Sequence, residues 1–331
     1  MTSRTGTGSR YGRRIAGLAA AIVLAVLAYS GAWYYGAHWL EGQAEATLAR
    51  LNGKGVRAFC EEPQARGYPF RIGLFCRSVF YENSMKGVSL RAGALRSAAQ
   101  IYQPGRVMGE LDGPAVLRLP FAATLEARWE SLRASARLAR PLPQTLSVEG
   151  RQVRIFDGEA GMALATAADL QFHARPQEAT DLETAVSFEA LALEGDLADG
   201  LPPLIFDGRA HLTLHDGVEL LLERAWPGLR GRSGTVHELA LAVAGGGPEL
   251  SLSGPVTIGP DGQIDAELAV KVSKPERLAE LVSEVFPQAR KGLMAAAAVF
   301  RGLGDVPLPV RIVRGRVFVG IVPVGRIPPV G

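Results

Sequence analysis

The stretch Leu252–Val270, LSGPVTIGPDGQIDAELAV, decides the fold class of this chain. It holds parts of two alternating runs, Leu250–Ile258 and Ile264–Val272, in which every second residue is apolar for most of the length. Asp261-Gly262 lies between them, and Asp-Gly suits the positive φ angles of tight hairpin turns. Two runs with a period of two around such a turn predict an antiparallel β-hairpin.

The same pattern recurs through most of the chain. Pro104-Gly105, Asp157-Gly158, Asp207-Gly208 and Asp216-Gly217 are further predicted turns. Many short strands in succession imply a mainly β (α+β) protein with an extended, curved antiparallel sheet, a sandwich or a half-barrel. The other alternating runs are Val88–Leu95, Val116–Leu119, Leu146–Phe156, Met162–Ala174, Thr184–Leu193, Leu204–Leu214 and Thr235–Val243.

Other segments complete this outline. Phe59–Tyr81 predicts a strand, a turn and a second strand, and Thr124–Leu138 fits either a helix or a strand, of which we favour the strand. Ser273 and Glu276 form a capping-box pattern before a helix that ends at Pro287. A second helix is expected over Gln288–Leu303, and a hairpin over Val310–Val313 and Arg316–Val322 around Arg314-Gly315.

The run Ile15–Leu40 is the only segment long and apolar enough to cross a bilayer, which takes about 20 apolar residues. Arg13 and Arg14 precede it, which predicts a cytoplasmic N-terminus. Amphipathic aromatic rings gather at its other end, as at a membrane–water boundary. The alternative is a cleaved signal peptide with a cleavage site at Ser30-Gly31-Ala32. The aromatic residues are Tyr29, Trp33, Tyr34, Tyr35 and Trp39.

Either interpretation sends the chain from Glu41 onward out of the cytoplasm. We favour the anchor, because the aromatic cluster continues the apolar run past the cleavage site. The predicted organisation is a cytoplasmic basic tail (1–14), a transmembrane anchor (15–40), with a helix continuing over Glu41–Asn52, and one exported β-rich domain (41–331).

Cys60 and Cys76 are the only cysteines. In an oxidising compartment they predict one structural disulfide, with two buried free thiols as the alternative. No histidine lies between or beside them to complete a metal site.

The sequence offers no catalytic motif. No G-x-S-x-G elbow and no G-x-x-x-x-G-K-[ST] loop occurs. His211 and His215 have zinc-like spacing, but in a strand they would lie about 13 Å apart, too far to share a metal. Arginine is dispersed rather than clustered, which argues against nucleic-acid binding. We therefore expect no enzyme activity, no metal and no cofactor.

The chain resembles a family of bacterial membrane-anchored proteins, domain of unknown function 2125. The resemblance rests on the anchor, the segment from Cys60 to Cys76, the stretch Leu252–Val270 and the closing segment LPVRIVRGRVFVGIVPVGRIPPV. It implies a bacterial inner-membrane protein with its bulk in the periplasm, and it implies no catalytic residues. The Leu252–Val270 strand pattern is also loosely similar to AsmA-like lipid-handling envelope proteins.

Two functions are compatible with these features. The first is a non-enzymatic, membrane-anchored protein that binds or transfers lipid or another envelope amphiphile in an apolar β-groove. The alternative is an envelope assembly or structural factor that binds a protein partner, for example by strand addition. The ligand-binding residues cannot be named from the sequence.

Overall fold

The computed structural model describes residues 8–53, 55–120, 123–178, 180–198, 200, 202–222, 228–303 and 306–330. Residues 1–7 of the predicted basic tail lie outside this described part. The first element is helix α1, Gly8–Leu51, which is about 66 Å long at 1.5 Å per residue. The predicted anchor and the predicted helical continuation after it are thus one unbroken helix.

Among the described residues, twenty strands and three further α-helices follow α1. The helices are α2 (Gly217–Leu222), α3 (Pro275–Val285) and α4 (Arg290–Leu303). The strands are β1 (Val56–Cys60), β2 (Gln64–Arg66), β3 (Arg71–Cys76), β4 (Val79–Asn83), β5 (Val88–Ala92), β6 (Leu95–Gln100), β7 (Gln103–Leu111), β8 (Ala115–Arg118), β9 (Leu125–Arg128), β10 (Ser131–Arg137), β11 (Thr145–Asp157), β12 (Ala163–Gln177), β13 (Asp181–Leu193), β14 (Ile205–Leu214), β15 (Ser233–Val243), β16 (Glu249–Ile258), β17 (Ile264–Ser273), β18 (Leu308–Val313), β19 (Arg316–Val319) and β20 (Val322–Arg326).

The strands form one antiparallel meander in chain order. The first ten are the halves of five kinked strands: β1–β2, β3–β4, β5–β6, β7–β8 and β9–β10. Each half pairs with a half of the next kinked strand, as β4 does with β5 and β3 with β6. Strand β11 pairs with both β9 and β10, and β12 to β20 then follow singly. The result is a large, curved, open sheet, which confirms the predicted fold class.

The kink between β7 and β8 combines a local cause with contacts from neighbouring strands. Gly113-Pro114 interrupts the β7–β8 strand, because proline has no N–H to donate to a ladder. The Trp129 indole N–H donates to the Leu111 carbonyl at 2.8 Å, so a side chain satisfies a backbone group beside the break. Arg96 pairs with Asp112 at the same level, and this carboxylate raises the pKa of Arg96. The kinks therefore lie next to one another across adjacent strands.

Two of the predicted turns are wrong. Pro104-Gly105 lies inside β7, and Asp207-Gly208 lies inside β14. The Asp207 carboxylate accepts a hydrogen bond from the Ala190 N–H at 2.8 Å, where the ladder between β13 and β14 is irregular. A Cβ on Gly208 would lie 2.2 Å from the Phe188 ring, so glycine is needed for this ring to cross the strand.

The other three predicted turns have different outcomes. The chain turns at Asp157-Gly158 and at Asp261-Gly262, as predicted. After Asp216 the chain enters α2 instead of a tight hairpin.

The helices and the ambiguous segment also differ in detail. Residues 124–138 contain two strands, β9 and β10, and Phe59–Tyr81 spans four strands rather than two. Helix α3 is present, but the capping box is wrong. Its N-cap is Lys274 in the left-handed conformation with no side-chain cap, while the Ser273 hydroxyl accepts from the Glu249 N–H. The predicted strand Arg316–Val322 divides at Gly320, which has a positive φ.

Candidate functional site

One face of the sheet is polar and held by ion pairs. Cross-strand partners point to the same side of a sheet, and Glu149, Gln171, Ser187 and Arg209 are successive partners from β11 to β14. The Arg209 guanidinium contacts Glu238 at 2.7 Å and Glu249 at 2.9 Å. This face therefore presents charge to solvent.

Glu183 lies at the centre of a second group on this polar face. It accepts hydrogen bonds from Arg175 and His211, both at 2.6 Å. These bonds, with Arg175 the larger cause, lower the pKa of Glu183 below the ordinary value for glutamate.

The opposite face is apolar across eight consecutive strands. One row of cross-strand partners crosses β11 to β18, a width of about 34 Å at 4.8 Å per strand. We call the side of the sheet that carries this row the apolar face. The row consists of Val148, Phe172, Val186, Ala210, Leu239, Leu252, Val270 and Leu308.

The apolar face is only partly covered. Val186, Leu239 and Leu241 are 39%, 43% and 45% exposed. Among the described residues, no large side chain is fully buried. A β-sandwich would bury such a face under a second sheet. Here a broad hydrocarbon-like surface stays open, which in soluble proteins marks a binding surface.

Helix α3 lies over part of the apolar face and encloses a cavity of about 400 Å³. We call this cavity the apolar groove. Every side chain of the described residues that line it is apolar, so these residues offer hydrocarbon contact and no group for acid–base or metal chemistry. From α3 the lining residues are Leu278, Leu281, Val282, Val285 and Phe286, and from the sheet and its connections Leu193, Pro202, Leu204, Phe206, Leu241, Ala242, Val243, Pro248 and Leu250.

The local sequence explains why α3 presents this face. Leu278, Leu281 and Val282 repeat at helical spacing on the groove side. Ala279 and Ser283 are buried on another side of α3, which packs on α4. Arg301 of α4 also pairs with Glu276 of α3. Helix α4 thus holds α3 in place, and the larger apolar side chains of α3 face the groove.

Cys60 and Cys76 lie at disulfide bonding distance, with Cα atoms 5.3 Å apart. They join β1 to β3 beside the kinks of the first two strands. They lie far along the sheet from the apolar groove, in keeping with the structural role expected from the sequence.

The predicted anchor residues separate into two groups. Arg13, Arg14, Tyr34, Tyr35 and Trp39 are exposed on α1. Trp33 is instead 8% exposed, and its indole N–H donates to the Arg71 carbonyl at 2.9 Å. The sequence could not reveal this docking, because the contact joins residues 38 positions apart.

The histidines have separate partners. His211 contacts Glu183, and His215 contacts Asp181 at 2.9 Å. The His215 hydrogen bond is the larger cause of a lowered pKa at Asp181. In the described part of the chain, no group of three histidine, cysteine or acidic side chains is placed to hold a metal ion.

The sequence suggested an apolar β-groove but did not locate the residues that line it. The alternation within each strand marked an apolar side, but only the strand register aligns these sides into one surface. The helical stripe of α3 was visible, yet the sequence did not indicate what it would cover.

Comparison with known proteins identifies the family of this chain. No curated protein matches the chain, and no solved structure does. The suggested similarity to AsmA-like proteins stays a prediction. One family model matches residues 33–328, which include the second half of α1 and the whole sheet. The chain therefore belongs to the family described as "Uncharacterized protein conserved in bacteria" (DUF2125).

Proposed function

We propose that this protein binds or transfers a lipid or another amphiphile, whose hydrocarbon part occupies the apolar groove. The observation that carries the proposal is the all-apolar lining of a groove of about 400 Å³ between α3 and a sheet face that is only partly covered. Its volume is in the range of small-molecule sites, which are about 300–1,000 Å³. The proposed role is non-enzymatic and needs no cofactor.

The proposed location is the bacterial inner membrane, crossed once by α1. An 18-residue segment of α1 has a mean hydropathy of 2.1 and no buried residues, so it is apolar enough to lie in lipid. Arg13 and Arg14 favour the cytoplasmic side for the N-terminus, which sends the sheet into the periplasm. A periplasmic location is also compatible with the Cys60–Cys76 disulfide.

The mode of attachment of α1 supports an uncleaved anchor. Ser30, at the predicted cleavage site, hydrogen-bonds the Tyr68 hydroxyl at 2.8 Å. Farther along α1, the Glu41 carboxylate accepts from the Ala65 N–H at 2.7 Å. Residues on both sides of the predicted cleavage site therefore belong to one helix that docks on the sheet.

The second candidate function, an assembly factor with a protein partner, has its own observation. The first edge of the sheet is protected, because the Asn52 amide pairs with both the N–H and the carbonyl of Ala58. At the other edge, β20 pairs only with β19 in the described chain. Ile321, directly before β20, is 93% exposed, and Val324, within β20, is 59% exposed. Such an edge suits addition of a partner's strand.

One experiment separates the two candidates. A photo-reactive benzoylphenylalanine replaces Leu241 in the groove or Val324 on the edge strand, and the full chain is irradiated in bacterial cells. The lipid proposal predicts lipid adducts at position 241 and none at position 324. Protein adducts at position 324, with position 241 unreacted toward lipid, would favour the assembly factor and contradict the lipid proposal.

A further inference from the structure

Three turns lie at the same end of the strands as the docked part of α1. In an antiparallel meander, alternate turns fall on one side, so the turns at residues 67–70, 101–102 and 138–144 share an end of the sheet. The first of these turns is bound to α1: Tyr29 donates to the Pro69 carbonyl, and Trp33 donates to the Arg71 carbonyl. The Ile101 N–H donates to the Phe70 carbonyl at 3.2 Å, which joins the second turn to the first.

The length of α1 sets the depth of these turns. About 20 helical residues cross a hydrocarbon core of about 30 Å. If the membrane span begins directly after Arg14, it therefore runs from Ile15 to Tyr34. Tyr29 and Ser30 lie four to five residues before Tyr34, or about 6–8 Å inside that boundary. The turn that hydrogen-bonds them lies beside α1 at the same depth.

The side chains at these turns suit a membrane interface. Phe70 is 69% exposed and Tyr102 is 71% exposed, while Tyr68 is 46% exposed and stacks on Tyr34 of α1. Leu138, in the third turn, is 54% exposed. Aromatic and large apolar side chains that project from a turn beside a membrane helix are positioned to enter the boundary between headgroups and acyl chains.

The chain segments that contain these three turns carry positive charge and no acidic residue. Residues 63–81, 92–109 and 131–148 contain no aspartate and no glutamate. At the opposite end of the strands, acidic residues such as Glu82 and Asp157 lie at the strand ends beside the turns. Cations near an anionic lipid surface are attracted to it. The arginines near the three turns are exposed, and within the described chain none is paired with a carboxylate: Arg66, Arg71, Arg106, Arg137 and Arg140.

We propose that the turns at 67–70 and 101–102 form a second contact with the membrane, in addition to α1. Phe70 and Tyr102 enter the interfacial region of the leaflet on the side of the sheet, and the surrounding arginines bind anionic phospholipid headgroups. This contact, together with α1, holds the first strands against the bilayer. The inference rests on the proposed membrane anchor, but not on the occupancy of the apolar groove.

The test uses the full chain in vesicles of phosphatidylcholine and phosphatidylglycerol. The environment-sensitive fluorophore NBD is attached to Y102C, while the two native cysteines remain paired. M85C is the matched control, because Met85 is 80% exposed in the turn at the opposite end of the first strands. L24C reports the anchor, since Leu24 is 66% exposed in the middle of the apolar run.

We expect the label at position 102 to emit at shorter wavelength than the label at 85. We also expect it to lose emission to lipids that carry a nitroxide near the headgroup. Equal spectra at 102 and 85, with both quenched by aqueous iodide while position 24 is quenched by lipid, would overturn the second contact alone. A label at position 24 that lipid does not quench would overturn the anchor and this inference with it. Neither result depends on whether the groove binds lipid.

Discussion

The substitution Leu241→Ala tests the apolar groove quantitatively. Leu241 lines the groove and is 45% exposed in the absence of a ligand. Complete burial of a leucine side chain contributes about 1.5–3 kcal/mol, so covering the remaining 45% contributes about 0.7–1.4 kcal/mol. At 1.4 kcal/mol per factor of ten, the variant should bind an acyl chain about three- to tenfold more weakly.

The assay is native mass spectrometry of the full chain in mild detergent with a limiting amount of dioleoyl-phosphatidylglycerol. The ratio of lipid-bound to free protein measures relative affinity. Leu239→Ala is the matched control, because Leu239 lies two residues away on the same face, is 43% exposed and does not line the groove. Similar exposure should give both variants similar thermal stability. Equal ratios for the two variants would refute the assignment of the binding site to the groove.

Three further predictions concern stability. Cys60→Ser should lower the free energy of unfolding by about 3 kcal/mol, because the cross-link closes a loop of 16 residues. Urea titration without reductant measures this change. A loss below about 1 kcal/mol would contradict the cross-link. Gly208→Ala should lower the free energy of unfolding by about 1–3 kcal/mol, because the new Cβ clashes with the Phe188 ring. Adding Phe188→Leu to this variant should restore part of the lost stability. An unchanged melting temperature for Gly208→Ala would contradict the contact. Because the pKa of Glu183 is lower in the folded state, the unfolded chain takes up its proton first as the pH falls, so stability should decline through and below the ordinary glutamate pKa of 4.5. Glu183→Gln should reduce that decline in urea titrations, and an unaltered pH profile would contradict the assigned hydrogen bonds.

The second half of the sheet could be predicted closely from the sequence. The run Leu146–Phe156 became β11, Thr145–Asp157, and Thr235–Val243 became β15, Ser233–Val243. These strands are predictable because each has its own alternation and is bounded by its own turn residues. The hairpin around Asp261-Gly262 depends on the same local chemistry.

The first half could not be predicted as well, because its breaks depend on neighbouring strands. Gly113-Pro114 shows where a strand is interrupted, but not that Trp129 on the next strand satisfies the adjacent carbonyl. Asp207-Gly208, in β14, is an exception in the second half: it has the sequence of a turn, yet its aspartate completes an irregular ladder and its glycine accommodates Phe188. In both cases tertiary contacts decide between conformations that the local sequence allows.

The candidate site depends still more on long-range order. The register aligns Val186, Leu239 and Val270, which are 84 residues apart along the chain at their extremes, on one face. The run Val317–Val319 is apolar at every position, so its sequence alone does not indicate which side chains share a face. In the structure Val319 pairs with Val310 on the apolar face, whereas Phe318 pairs with Arg311 on the other.

The central claim is that the apolar groove holds a hydrocarbon chain, and the most direct measurement is native mass spectrometry of the full chain purified from bacteria in mild detergent. The full chain is needed because Glu41 of α1 and Asn52, directly after α1, hydrogen-bond backbone groups at the first edge of the sheet. Organic extraction of the same sample identifies what is bound. We predict a stoichiometric lipid or other amphiphile that survives purification and is diminished in Leu241→Ala. A ligand-free mass, with no uptake of added phospholipid, would contradict the claim.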